Sequence, residues 1–170
     1  MWRSEFKCRQ GICSMGDPAM NTQLVLREVV TATEHYWEDS DGSRQGEYKC
    51  WHNTGQLKYH EFYIDGKLNG EYKSWHNNGQ LSKHCFYVDG KLNGEYKSWH
   101  SNGQLRSHRF YVDGKLNGEF KYWRRNGVLH MYGFYINGSE VSELRKYAVD
   151  GTYREQCFIE SIFGDNCGEL

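Results

Sequence analysis

The residues in this 170-residue chain with the most chemistry to offer are eight histidines and six cysteines. Six of the histidines form two columns with a 24-residue step: His52, His76 and His100, and His60, His84 and His108. Clustered imidazoles bind transition metals, and a single one near neutral pKa can act as a general base or a pH sensor. The cysteines (Cys8, Cys13, Cys50, Cys85, Cys157 and Cys167) contain no CxxC pair and match no zinc-finger spacing. Reduced thiols are the default reading, with Cys8/Cys13 and Cys157/Cys167 close enough in sequence to staple the two ends. Catalytic grammar is missing: there is no GxSxG, no HExxH, no phosphate loop and no GxGxxG after a strand. Gly66 to Gly70 matches GxxxG but lies in a polar turn, and the sequon at Asn137-Gly138-Ser139 has meaning only on a secreted chain.

The histidine step belongs to a repeat that runs through most of the chain. Gly46, Gly70, Gly94 and Gly118 keep it, as do Trp51, Trp75, Trp99 and Trp123, and Leu57, Leu81, Leu105 and Leu129. Phe62, Phe86, Phe110 and Phe134 run in phase with Tyr63, Tyr87, Tyr111 and Tyr135. Two units are nearly identical, GEYKSWHNNGQLSKHCFYVDGKLN from Gly70 and GEYKSWHSNGQLRSHRFYVDGKLN from Gly94. The period fades outward, which gives an arm at 1–21, a degenerate capping unit at 22–45, four clear units at 46–141 and a degenerate unit with a tail at 142–170. Stacked arrays need such atypical ends, because a terminal unit must turn one side to water.

Each unit predicts a β-hairpin. Aromatic and β-branched segments flank Asn78-Gly79, and Asp89-Gly90 makes the next connection; both dipeptides tolerate positive φ. Gly94 offers a third special backbone position, where a missing Cβ lets a ring lie close to the chain. A two-residue turn at Asn78-Gly79 sets His76 opposite Leu81 and His84 opposite Lys73, on opposite faces. Columns about 10 Å apart cannot share one ion, so the histidines are expected to be repeated polar edge residues. The position held in turn by Glu61, Cys85, Arg109 and Gly133 is so variable that it is expected to face water, with Cys85 incidental there. The neighbouring Phe62-to-Phe134 column is expected to be the packed one. The fold class is then all-β: an elongated antiparallel meander of hairpins with degenerate caps.

Composition agrees with strands and turns. Apolar residues make up 38%, aromatics 16%, and 19 glycines stand against a single proline. The chain has no 18-residue apolar run and its first 20 residues lack a signal-peptide core, so a cytoplasmic, non-secreted protein is expected. A place in a larger assembly such as a virion stays open. Net charge is −1 overall, with +4 over residues 46–141 between acidic ends. That balance excludes a general nucleic-acid binder and leaves a weak hint of an anionic partner.

The unit G-E-Y-K-S-W-H-x-N-G-Q-L-x-x-x-x-F-Y-x-D-G-K-L-N resembles the MORN repeat in its variant form, also seen in bacterial antitoxin-like proteins. The resemblance covers about 96 residues clearly and implies a hairpin meander without an active site, used for protein contact, dimerisation or membrane attachment. Larger members carry kinase or methyltransferase domains beside the repeats; 170 residues leave no room for one, so any activity is expected to come from a partner. One departure weakens the transfer of lipid binding: the usual repeat has Tyr-x-Gly-x-Trp, whereas this chain has Glu-Tyr-Lys-Ser-Trp, with Ser74 or Ser98 before the tryptophan.

The leading expectation is a non-enzymatic scaffold without cofactor or metal that holds a protein partner, another copy of itself included. Its interaction face is assigned to Trp51, Trp75, Trp99 and Trp123 with Tyr63, Tyr87, Tyr111 and Tyr135. The alternative is peripheral contact with anionic lipid through Lys67, Lys91 and Lys115. Those lysines follow the Asp-Gly turns and have Asp65, Asp89 and Asp113 beside them. A third reading is glycan or small-ligand stacking on the tryptophan column.

Overall fold

The computed structural model describes residues 7–9, 12–14, 24–141 and 145–154. Cys157, Cys167 and Phe158 lie outside them. Strands β1 (Lys7–Arg9), β2 (Ile12–Ser14) and β3 (Leu24–Val25) pair in order as a three-stranded sheet, with Cys8 and Cys13 register partners.

The remaining described strands form one antiparallel sheet of 14. It begins with β4 (Arg27–Val30), β5 (Glu34–Glu38), β6 (Arg44–Trp51) and β7 (Leu57–Ile64). The short β8 (Lys67–Leu68) pairs back on β7, and β9 (Gly70–Trp75) continues the sheet. The long strands β10 (Leu81–Val88), β11 (Lys91–Trp99), β12 (Leu105–Val112), β13 (Lys115–Trp123) and β14 (Leu129–Ile136) then follow side by side. After them come β15 (Ser139–Glu140), paired on β14, then β16 (Arg145–Tyr147) and β17 (Tyr153–Arg154). The all-β hairpin meander expected from the period is the fold.

The two rims of the sheet are built by different turns. At Asp89-Gly90 both residues are left-handed (φ +49° and +79°) and Val88 faces Lys91, which makes a two-residue type I′ connection. Asp65, Asp113 and Asn137 repeat it. Successive turns are tied together, since the Gly90 N–H donates to the Leu68 carbonyl and Gly114 to Leu92, each at 2.8 Å.

The Asn-Gly rim differs from expectation. There the Gly79 N–H donates to the His76 carbonyl (2.9 Å) and the His76 N–H to the Gln80 carbonyl (2.8 Å), so the loop has three residues and a single left-handed one, Gly79. Ser82 adds one residue to β10, which brings Leu81 opposite Trp75; His76 opens the loop instead of facing Leu81, while His84 does face Lys73. The physical reason is Asn78. Its Oδ1 accepts the Gln80 N–H (3.2 Å) and its Nδ2 donates to the Ser101 carbonyl of the next loop (2.6 Å).

The third glycine position also bends the chain. Between Tyr96 and Leu92 of β11 the register slips against β10, leaving Asn93 to Glu95 to oppose Phe86. A Cβ on Gly70 or Gly118 would stand 3.4 Å from the Cβ of Phe62 or Phe110, whereas at Gly94 the space is open and the backbone (φ +98°) alone favours glycine.

Strand alternation sorts the side chains, and it reverses the expected packing. Tyr96 and Ser98 of β11 share a face with Arg109 and Tyr111 of β12; Glu95, Lys97 and Trp99 take the other, with His108 and Phe110. The variable column lies on the tyrosine face and is the core. Cys85 is 1% exposed, Glu61 and Gly133 are buried, and Arg109 is half-buried. The phenylalanine column is open instead, with Phe86 39% exposed. Variability misled because the slot between two aromatic rings accepts a carboxylate, a thiol, a guanidinium or no side chain at all, provided that each finds its own partner.

This placement predicts an asymmetry between adjacent positions. Cys85→Leu overfills the slot between the Tyr72 and Tyr96 positions and should lower unfolding stability by roughly 1–3 kcal/mol. Phe86→Thr, on the open face, should stay within about 1 kcal/mol. Urea denaturation of both variants checks it, and the reverse order would return the packed role to the phenylalanine column.

Candidate functional site

Among the described residues no second layer covers the long sheet, which leaves two faces and two rims from which a site can be built. On the tyrosine face the rings pack across each hairpin: Tyr48–Tyr63, Tyr72–Tyr87, Tyr96–Tyr111 and Phe120–Tyr135 have centroids 5.7–6.1 Å apart in edge-on geometry. Each variable residue lies beside this ladder. The Tyr63 hydroxyl donates to Glu61 at 2.6 Å, and the Arg109 guanidinium stands 5.5 Å from the Tyr96 ring and 5.0 Å from Phe120. Arg44 closes the N-terminal end over Tyr36, Tyr48 and Tyr63. Burial pushes the Tyr63 hydroxyl up to about 12 and the Cys85 thiol to about 11. A thiol so protonated and covered is packing, not a nucleophile.

The opposite face carries three parallel rows. Nearest the Asn-Gly rim stand Trp51, Trp75, Trp99 and Trp123, all half-buried and, by strand parity, on the face away from Tyr63, Tyr87, Tyr111 and Tyr135. The tryptophan and tyrosine columns therefore cannot meet one partner surface together. In the middle row, Glu47, Glu71 and Glu95 each accept a histidine Nε2, from His60, His84 and His108 (2.8–2.9 Å), and a lysine Nζ, from Lys49, Lys73 and Lys97 (2.8 Å). In the fourth unit Lys121 holds Glu119 in the same way. The third row is apolar: Phe86 and Val88, Phe110 and Val112, and Phe134 and Ile136 are all exposed. The histidine rings of the middle row lie against the phenylalanines, with centroids 4.9–5.2 Å apart.

The first histidine column has a different task. Nε2 of His52, His76 and His100 donates to the carbonyl of Trp75, Trp99 and Trp123, at 3.2, 3.0 and 3.0 Å. A carbonyl only accepts, so the proton on Nε2 is fixed by the bond. Arg124 substitutes in the fourth unit and reaches the Tyr147 carbonyl at 3.2 Å. These side chains clasp each unit to the next. Among the described residues no cluster of His, Cys, Asp and Glu has the arrangement of a metal site. Sequence spacing marked both columns as special, but it could not separate a backbone clasp from an ion-pair row; the residue three before the loop glycine and the one three after the repeat leucine had equal standing.

Residues 44–65, 68–89 and 92–113 match the family model described as the MORN repeat variant. Residues 44–113 carry three variant MORN repeats. The match covers three consecutive hairpins, and the fourth keeps the same register despite Phe120, Tyr122 and Arg124 in place of Tyr, Ser and His. MORN repeats generally serve as modules for protein or membrane contact. No curated protein matches the chain. Among solved structures, the crystal structure of TarM is similar to it with 10% identity over 68% of this chain and a TM-score of 0.32. The likeness spans 20% of that protein's length.

The ion-pair row of these MORN hairpins gives a pH prediction. The Glu71 and Glu95 carboxyls lie below their ordinary value, first through the Lys73 and Lys97 hydrogen bonds and then through His84 and His108, against partial desolvation. A carboxylate lowered on folding stabilises above its unfolded pKa of about 4.3, and that contribution is lost as pH falls through the folded value. Both pairs are about a third exposed, so each contributes no more than about 1 kcal/mol. The melting temperature should fall from pH 5 to pH 3, and more steeply in the wild type than in the Glu71→Gln/Glu95→Gln double variant. Parallel pH profiles for the two proteins would remove the row from the account of acid stability.

Proposed function

We propose that the chain is a non-enzymatic interaction module that holds a protein partner, a second copy of itself among the candidates, through the apolar row of the histidine face. The observation that carries this reading is the row itself. Six large apolar side chains, 36–50% exposed, recur at the repeat step along one rim of one face. At about 4.8 Å between strands, equivalent members are about 10 Å apart, which gives a long, regularly notched strip and not a scatter of single residues. The flanking Glu–His–Lys row is locally neutralised and supplies the polar border typical of a contact patch.

A second reading, contact with an anionic membrane surface, is favoured by the exposed lysines Lys67, Lys91 and Lys115. They follow the turns that open at Ile64, Val88 and Val112, so a basic ridge runs beside the apolar row.

Two measurements divide these readings. Light scattering should give a mass that is a multiple of 20.1 kDa, and Phe86→Ser/Phe110→Ser should restore the monomer while preserving the β-sheet spectrum. A wild-type chain that stays monomeric and retains no protein when immobilised would leave the row without an occupant. Sedimentation with anionic but not neutral vesicles, surviving physiological salt and lost in Lys67→Gln/Lys91→Gln/Lys115→Gln, would establish the membrane reading instead.

A further inference from the structure

The tyrosine face carries a concavity at the junction of the first and second repeats. There a groove of about 540 Å³ lies over β7, β9 and β10. Its size is within the range of small-molecule sites. It exists because the repeat breaks step. In the next junction the corresponding places are filled: Ser98 and Ser107 bond each other at 2.7 Å, and Arg106 donates to the Tyr122 hydroxyl at 2.8 Å and lies over its ring. At the first junction Ser82 stands where Arg106 does and Lys83 where Ser107 does, so both the serine pair and the arginine over a ring are absent there, with Lys58 and Tyr59 on the other side. The rings of Tyr59 and Tyr72, with centroids 6.3 Å apart, form the apolar wall.

Charge is the second feature of the groove. No carboxylate lines it, while two lysines, Lys58 and Lys83, do. Neither is in an ion pair among the described residues; Lys58 Nζ lies 5.0 Å over the Tyr59 ring. This contrasts with the opposite face, where Lys49, Lys73, Lys97 and Lys121 each sit on a glutamate at 2.8 Å. Glu61, the carboxylate of the tyrosine face, is buried on the Tyr63 hydroxyl and does not reach the groove. The Ser82 hydroxyl and the Asn77 amide line the groove and make no hydrogen bond among the described residues. Two uncompensated ammonium groups, spare hydroxyl and amide donors and an aromatic wall thus converge in one concavity.

We propose that this groove binds a phosphate monoester carried on an aromatic ring, with Lys58 and Lys83 on the phosphate and the Tyr59 and Tyr72 rings against the body of the ligand. Phosphate suits the site better than carboxylate because an ammonium is a point charge, and two of them with hydroxyl donors match the several oxygens of a dianion. A planar carboxylate is matched by the arginine fork, which the groove lacks. The source is either a free aryl phosphate or a phosphotyrosine side chain presented by a partner; both bring the same group to the same atoms. This inference stands apart from the apolar row, on the other face of the sheet.

The test is titration calorimetry of the full chain with phenyl phosphate, inorganic phosphate, phenol and a phosphotyrosine peptide. Saturable binding of phenyl phosphate, weaker binding of inorganic phosphate and none of phenol is the expected order. Lys58→Met and Lys83→Met should each weaken it by roughly ten- to hundredfold, the loss of a hydrogen bond to a charged group. Arg145→Met, exposed on β16 and away from the groove, should leave it unchanged. Lys83 and Arg145 are exposed and Lys58 is half-buried, and circular dichroism checks that the sheet is retained in each variant. A peptide bound much more tightly than phenyl phosphate identifies a protein source; equal affinities identify the free ligand. No saturable binding of either, or binding that the Lys58 and Lys83 variants leave intact, would overturn the proposal.

Discussion

Among the described residues the long sheet has no second layer against which to bury its apolar side chains, and this constraint orders the rest of the described structure. The tyrosine face meets it by packing sideways, ring against ring across neighbouring strands, so that its core is one side chain deep. Cys85 and Ser107, each 1% exposed, are as covered as residues in a two-layer domain. Such packing requires rings at every step on one face only, and a 24-residue unit that keeps Tyr72 and Tyr87 in register supplies them. The other face has no such lattice. Its phenylalanines remain open, and its polar groups pair with each other in Glu–His–Lys rows.

The period made the fold legible, because glycines in phase fix where the chain reverses and aromatic segments fix what lies between reversals. The Asp-Gly turns were readable to the residue. The Asn-Gly loops were not, since their length depends on an asparagine that bonds to the neighbouring loop, a partner 23 positions away. The same limit reversed the faces. Alternation gives two sets of residues but not which set is covered, and variation within the Glu61–Gly133 column suggested solvent where the structure has a slot between rings. The groove at Lys58 and Lys83 shared this invisibility, for it arises where Ser82 and Lys83 stand in place of the Arg106 and Ser107 of the next unit.

The histidines show how one residue type can serve two purposes in one unit. His76 spends its Nε2 proton on a backbone carbonyl at the loop rim, which leaves it no capacity for chemistry at that atom. His84, eight residues on, bonds a glutamate in the open and shares it with Lys73. Their equal spacing hides unequal surroundings, and only the sheet register separates them. The variant repeat thus distributes its polar residues by rim and by face: clasps at one rim, stacked turns at the other, paired charges between.

The clasp also has a direction. Each histidine reaches forward, to a carbonyl 23 residues later in the chain, whereas the Asp-Gly turns bond backward, from Gly90 to Leu68 and from Gly114 to Leu92. On the ribosome, therefore, a newly emerged hairpin can dock its turn on the preceding one at once, but its loop must wait until most of another unit has left the exit tunnel. Assembly is then a ratchet that always trails one unlocked loop at its growing end. Arg124, reaching Tyr147 from the fourth unit, is where the ratchet changes its tooth, exchanging an imidazole for a longer arm at the last full hairpin.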